Sequence, residues 1–419
     1  MIKNSEITLD AETENKPGYK ETKLGWIPEE WKVKKLSTVS HKISSGATPL
    51  RSNNEFFRQG QIPWVKTTDL NNGRIYKTEE KVTDFALEKT NLKIFPIDTV
   101  LVAMYGGFNQ IGRTGILRTP ATSNQALSAI QVNKNIVCPE YLLMWLNYGV
   151  GFWKRYAASS RKDPNITKND VNDYLIPFGN LNEQKHIISI IDVWNKSILE
   201  LSNLIKLKIS LKKGLMQQLL TGKKRLLGFS GEWKELKLEE FFKEKNEKGH
   251  HSLTLLSIGE AGVYPQSKSN KKDTSNTDKS KYKRICPGDI GYNSMRLWQG
   301  RNALSELEGI ISPAYTVVTP KSNAHAEFFK YLFKFQAVVH KFYRNSQGLV
   351  SDTLNCKFKD FKIVKVLLPP KIEEQIAIAR ILLSADNEIQ LLKRKKELLQ
   401  NQKKGLMQQL LTGKQRIKK

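Results

Sequence analysis

The residues that decide the reading are KKGLMQQLLTGKKR, at positions 212–225, and KKGLMQQLLTGKQR, at 403–416. They lie 191 residues apart and differ at one of 14 positions, Lys224 against Gln415. Identity at that level marks an internal tandem repeat. Followed backwards at the same offset, Asn182-Glu183-Gln184 aligns with Glu373-Glu374-Gln375, and Ile187, Ile190 and Ile198 with Ile378, Ile381 and Ile389. No gap is needed over 182–225 against 373–416.

Both copies read as helix. Each starts after proline, Pro177 in the first and Pro369-Pro370 in the second, as helix starts do. Asn180 and Glu183 have the spacing of a capping box, whereas Lys371 stands at the equivalent place in the second copy. Ile187, Ile191, Trp194, Ile198, Leu201 and Ile205 follow a 4-3-4-3-4 spacing, the seam of a coiled coil. The matching set is Ile378, Leu382, Ala385, Ile389 and Leu392, after which Lys396 is expected to break the pattern. In the first copy the apolar positions then drift to Leu207, Leu211, Leu215 and Leu219, so the seam is expected to rotate around the helix. At about 1.5 Å per residue each helix is on the order of 55–60 Å long. A single apolar stripe must be buried, and the other copy is its natural partner in an antiparallel pair with a globular half at either end. Gly214 and Gly405 interrupt both helices at matching positions, each at about 1 kcal/mol relative to Ala. Either another backbone, of the other helix or of a partner subunit, approaches closely there, or the helices end nearby, with Thr221-Gly222 and Thr412-Gly413 as later stops.

Ahead of each helix lies a different kind of sequence. Residues 1–20 are expected to form a disordered polar tail, 21–180 a first globular domain, 181–225 the first helical region, 226–370 a second globular domain and 371–419 the second helical region. The lead-ins echo one another: LGWIPEEWKVKKL from Leu24 and LGFSGEWKELKL from Leu227 bring Trp31 onto Trp233 and Leu36 onto Leu238. Within the domains, short apolar runs such as 62–65, 99–105 and 129–132 predict strands, and 140–148 and 327–335 predict helix. Pro96-Ile97-Asp98 is echoed by Pro287-Gly288-Asp289, and Gly112-Arg113 by Gly300-Arg301. The fold expected is α+β: two globular domains joined by two long antiparallel helices in a pseudo-twofold repeat. One architecture carries two dissimilar surfaces.

The 419-residue chain has a net charge of +27 and 39% hydrophobic residues. Such an excess of Lys and Arg points to a polyanionic partner, and nucleic acid is favoured over membrane. No uncharged apolar run approaches the ~18 residues of a membrane span, and no signal-peptide core opens the chain. Three separated cysteines, Cys138, Cys286 and Cys356, fit neither a disulfide framework nor a zinc site and point to a reducing cytoplasm. The histidines offer no metal-ligand spacing. No Gly-rich loop fits a cofactor or P-loop pattern, and Leu368-Pro369-Pro370-Lys371 lacks the Asn and aromatic of an amino-methyltransferase tetrad. Asp69 followed by Glu79-Glu80-Lys81 has the order of a nuclease set, but a chain with 26% charged residues offers many such spacings. No catalytic residue and no metal ligand is assigned.

DNA reading needs Arg, Asn and Gln for base edges and Lys, Arg, Ser and Thr for phosphates. In the first domain those candidates are Ser45, Gly46, Thr48, Arg51, Lys66, Thr67, Thr68, Tyr105, Asn109, Gln110, Arg113, Asn124, Gln125, Arg161 and Lys162. In the second they are Lys268, Lys271, Lys272, Asn293, Arg296, Trp298, Gln299, Arg301, Arg344, Asn345 and Gln347. The basic, Ser/Asn/Thr-rich stretch 268–284 reads either as a mobile surface loop or as a loop that orders on phosphates.

The layout resembles the specificity subunit of Type I restriction–modification systems, from Leu24 onward. LGWIPEEW, Gly46-Ala47-Thr48-Pro49, Ile62-Pro63-Trp64-Val65 followed by Asp69, NLNEQ and PPKIEEQ carry the likeness, and the duplicated KKGLMQQLLTGK is its most specific element. The resemblance implies two target-recognition domains, each reading half of a bipartite double-stranded DNA site. Half-site centres would be about one helical turn, ~34–36 Å, apart. It further implies two methyltransferase subunits docked on the helices, transferring a methyl group from S-adenosylmethionine to adenine N6. Two motor-endonuclease subunits would use ATP and Mg, leaving this chain without a cofactor of its own. The alternatives are a modification-only or Type IIB-like specificity subunit, a stand-alone DNA-binding regulator, and a fused nuclease or methylase.

Overall fold

The computed structural model describes residues 17–107, 109–153, 165–259, 262–269, 276–350 and 353–417. The chain forms two compact units, Met1–Glu200 with Lys396–Lys419, and Leu201–Lys395. Each unit therefore contains one globular domain, the first half of one long helix and the second half of the other.

In the first unit the expected disorder does not reach residue 20, since Tyr19–Thr22 pairs antiparallel with Gly25–Pro28 and the Tyr19 hydroxyl donates to the Gly413 carbonyl. Lys32–Lys35 pairs antiparallel with Leu175–Phe178, tying the lead-in to the domain's last strand. A five-stranded sheet runs in the spatial order Ser40–Ser45, Leu127–Val132, Val100–Ala103, Thr114–Leu117, Gly73–Ile75. Its centre is apolar without alternation because both faces are covered. Val100 and Val102 pack with Tyr141, Leu142 and Trp145 of the helix Pro139–Tyr148, while Leu101 and Ala103 pack with Val65, Phe95 and Leu127.

The second unit repeats the scheme. Lys234–Lys237 pairs with Lys365–Leu368. A four-stranded sheet has the order Phe242–Lys245, Tyr315–Pro320, Ile290–Asn293, Asn302–Leu304, matching the first four strands of its counterpart. The helices Ala326–Leu332 and Gln336–Asn345 cover it through Phe328, Phe329 and Phe342, joined by Phe333 from the turn between them.

The long helices span Leu181–Leu219 and Ile372–Leu411. In the first unit Ile187 and Ile191 pack with Leu406, Met407, Leu410 and Leu411; in the second, Leu215, Met216, Leu219 and Leu220 pack with Ile378, Ala379 and Leu382. Start meets end each time, so the pairing is antiparallel in both units. Leu201, Ile205 and Ile389 are also buried, and Trp194, Ile198, Ala385 and Leu392 half-buried.

The expected rotation of the seam does not occur. Leu207 and Leu211 are 68% and 56% exposed, and the 3.5-residue period continues through the half-buried Lys208 and Lys212. Their aliphatic stems line the seam, and their ammonium groups reach Glu388 and Asp386, both at 2.6 Å. Lys396 likewise does not break the second seam; it and Lys403 sit half-buried in register. Nothing described lies within 4 Å of where a Cβ would stand on Gly214 or Gly405, and both helices run on past these glycines. Among the described residues there is thus neither a close approach of another backbone nor a helix end at either position.

The duplicated motifs now have physical roles. Gln184, fully buried, accepts from the Cys138 N–H at 2.8 Å and donates to the carbonyls of Ile136 and Gly179, fastening its helix to the start of Pro139–Tyr148. Gln375 does the same with the His325 N–H and the Asn323 carbonyl. Asn180 caps its helix by accepting from the Glu183 N–H at 2.9 Å. The Glu183 carboxylate does not return that bond as a capping box requires; it instead receives Arg416 at 2.7 Å and the Trp31 indole at 3.0 Å. Its equivalent Glu374 receives Arg225 twice, at 2.7 and 2.9 Å. Each Thr-Gly ends its helix with a left-handed glycine against the lead-in. Gly413 (φ 71°) lies against Pro28 and Trp31, and Gly222 (φ 67°) against Trp233. In the second unit the Trp233 indole N–H is buried with no acceptor among the described residues.

Candidate nucleic-acid interface

In the first unit, loops from distant positions meet at one end of the sheet. The Ala47 N–H donates to the Ser123 carbonyl, Asn124 to Val65, Met104 to Ala126, and the Trp64 indole to the Ala47 carbonyl. These bonds gather Ser45, Gly46, Thr48, Thr67, Thr68, Asn124 and Gln125 beside the connection between strands Val100–Ala103 and Thr114–Leu117. That connection carries Tyr105, Asn109, Gln110 and Arg113. Gly46 has a packing reason to be glycine, since a Cβ would stand 1.9 Å from the Ser123 carbonyl oxygen. Arg161 and Lys162 lie outside the described residues.

Two of the basic candidates are already neutralised. Arg51 stacks over Phe57 and Trp64, 5.0 and 4.7 Å from the ring centres, and pairs with Glu80. The Lys66 ammonium lies 2.5 Å from Glu80 and 3.0 Å from Glu79. The Arg51 hydrogen bond, followed by that of Lys66, holds Glu80 below the usual carboxylate range, and Glu80 in turn raises Lys66. Asp69 accepts from the backbone amides of Lys66 and Glu79 at 2.8 and 3.0 Å. The nuclease-like set is thus a loop staple whose carboxylates are engaged.

In the second unit the matching sheet connection, between Ile290–Asn293 and Asn302–Leu304, brings together Asn293, Arg296, Trp298, Gln299 and Arg301. Gly300 (φ 76°) and Gly112 (φ 73°) make the same left-handed step before an arginine, giving the Gly-Arg echo its structural meaning. The loop is closed by the Asn293 N–H donating to the Arg301 carbonyl, 3.1 Å, and the Arg301 N–H to the Arg296 carbonyl, 3.2 Å. Arg344 and Gln347 are adjacent: Tyr343 meets the Trp298 ring edge-on at 6.1 Å, and the Cys356 N–H donates to the Ser294 carbonyl. Asn345 is turned back onto its own helix, donating to the Lys341 carbonyl. Lys268 ends a short turn after the hairpin Leu256–Gly259 and Gly262–Pro265, whose Tyr264 joins the Arg296–Arg301 loop around a concavity of about 340 Å³. Lys271 and Lys272 lie outside the described residues.

Sequence reasoning missed Tyr264 and Tyr315, which line that concavity. Burial pushes the Tyr315 phenol up, and Asn293 hydrogen-bonds to it. Only the cross-strand pairing Asn293↔Tyr315 brings them together, and no sequence spacing encodes it. Among the described residues no group of three or more His, Cys, Asp or Glu could hold a metal ion. None of their helices is long and apolar enough to cross a membrane.

Two like-built units, each ending in a loop cluster rich in amide, guanidinium and hydroxyl groups and tied to duplicated helices, define a modular nucleic-acid reader. The chain belongs to the family described as Type I restriction modification DNA specificity domain, which matches twice, over residues 28–212 and 230–401. It is 26% identical over 433 residues to the putative type I restriction enzyme MjaX specificity subunit of Methanocaldococcus jannaschii, covering 96% of this chain and 97% of that one. The MjaVIII specificity subunit of the same organism is 25% identical over 426 residues, covering 94% of each. Among solved structures, a chain from work on complex assembly and conformational transition of the type I R-M system has a TM-score of 0.57 at 17% identity, covering 93% of this chain and 99% of that one. The S subunit from M. genitalium has a TM-score of 0.55 at 15% identity, covering 91% and 96%. This protein is a specificity subunit, the DNA-recognition component of a Type I restriction–modification system.

Proposed function

We propose that each unit reads one half of a bipartite duplex site through its loop cluster. The matched helices set the gap between the halves. The observation that supports this reading most is the contrast between the sheets, equal in the order of their four shared strands, and the loops at their ends, unlike in chemistry. Two methyltransferase subunits dock on the helical regions and methylate adenine N6 with S-adenosylmethionine; two motor-endonuclease subunits supply ATP- and Mg-dependent cleavage. Location in the cytoplasm follows from partners that act on the host's own DNA. The test is reconstitution with the partner methyltransferase on duplex DNA. Methyl transfer at a bipartite sequence should require both proteins, and transfer by this chain alone, or by the partner without it at the same sites, would refute the proposal.

A further inference from the structure

We propose that Arg301 is a base-reading residue that recognises guanine in the half-site of the second unit; this rests on the DNA-reading function proposed above. Arg301 is exposed at the rim of the concavity, and its guanidinium makes no hydrogen bond or ion pair among the described residues. Its backbone, by contrast, is fixed on both sides by the Asn293 and Arg296 bonds and by the left-handed Gly300. A held backbone with an uncommitted planar cation suits two-point recognition of O6 and N7 on one base edge.

The surroundings supply further groups that can meet a base edge. The concavity is lined by Arg296, Asn293 and Gln299 between the phenol rings of Tyr264 and Tyr315, with no Lys, Ser or Thr among its described lining residues. Arg, Asn, Gln and Tyr can also meet phosphates, and it is the recess that favours a base: amide and guanidinium groups gathered in a concavity match the donor and acceptor pattern of base edges. No carboxylate stands among those lining residues either. Arg51 of the first unit, stacked and paired with Glu80, has the opposite environment and is already committed.

The experiment is site mapping of the complex of this chain with its methyltransferase partner, comparing the parent with Arg301→Ala. The parent should select a half-site containing guanine, and the variant should lose about ten- to hundredfold of discrimination at that one base pair, leaving the other half-site unchanged. As an arm that needs no variant, 7-deazaguanine at that position removes the N7 acceptor and should weaken methylation by the parent but not by the Arg301→Ala complex. An equal loss on all sequences, or no change at a guanine, overturns the inference while the functional reading stands. A parent complex that selects no bipartite sequence overturns both.

Discussion

Replacing Arg225 by Met should destabilise the second unit strongly. The Glu374 side chain is 1% exposed and takes two hydrogen bonds from the Arg225 guanidinium, itself 27% exposed. Removing one partner of a fully buried pair costs about 3–5 kcal/mol, because the remaining charge has lost its compensation. The partial exposure of Arg225 reduces that to about 2–3 kcal/mol. At about 2–4 °C per kcal/mol for a unit of this size, the melting temperature should fall by roughly 4–12 °C. Glu374→Gln keeps a hydrogen-bonding partner and should cost less, about 1–2 kcal/mol. The double variant should lose at least about 1 kcal/mol less than the sum of the two single losses, because the pair is then removed once and no buried charge is left uncompensated. Calorimetric melting of the full chain and its three variants measures all of this. If Arg225→Met melts within a degree of the parent, the Glu–Arg lock does not hold the unit together.

Gln184→Leu should cost about 2–3 kcal/mol in chemical denaturation, since it leaves the Cys138 N–H and two carbonyls of the first unit without their partner. Gly413→Ala should destabilise by more than 1 kcal/mol, because the left-handed backbone is joined by a Cβ 2.4 Å from Pro28, whereas Gly405→Ala, in open helix, should stabilise by up to about 1 kcal/mol; equal effects in thermal melts would refute this. The hydrogen bond from Arg51 depresses Glu80 in the folded state, so the stability it contributes is present above the ordinary carboxylate value of 4.5 and is lost as pH falls through the lower folded value. Glu80→Gln should flatten that acid limb of the stability–pH curve, and an unchanged limb would contradict it.

The long helices and most of their seam were legible because a 3.5-residue apolar period survives in any context that buries it. Lys396 was misread as a break in it, and Lys208, Lys212 and Lys403 were passed over as seam positions. A lysine at a seam position looks polar in sequence, yet its stem packs, and at Lys208 and Lys212 the charge is met by Glu388 and Asp386 of the other helix. The roles of Gln184 and Glu183 were not legible, since their partners Cys138 and Arg416 are 46 and 233 residues away. Much the same separates the candidate contacts. Arg51 and Lys66 looked as available as Arg301 until the fold set Glu80 beside them. Gly-Arg was found twice as an echo, but its meaning, a shared left-handed step at the end of a sheet connection, needed the backbone.

The most direct test of the account is to exchange residues 37–178 for the corresponding domain of another specificity subunit and map the methylated sites of the complex genome-wide. One half of the bipartite site should change, while the other half and the spacing stay as they were. A change in both halves, or in neither, would contradict the claim that the units read DNA independently.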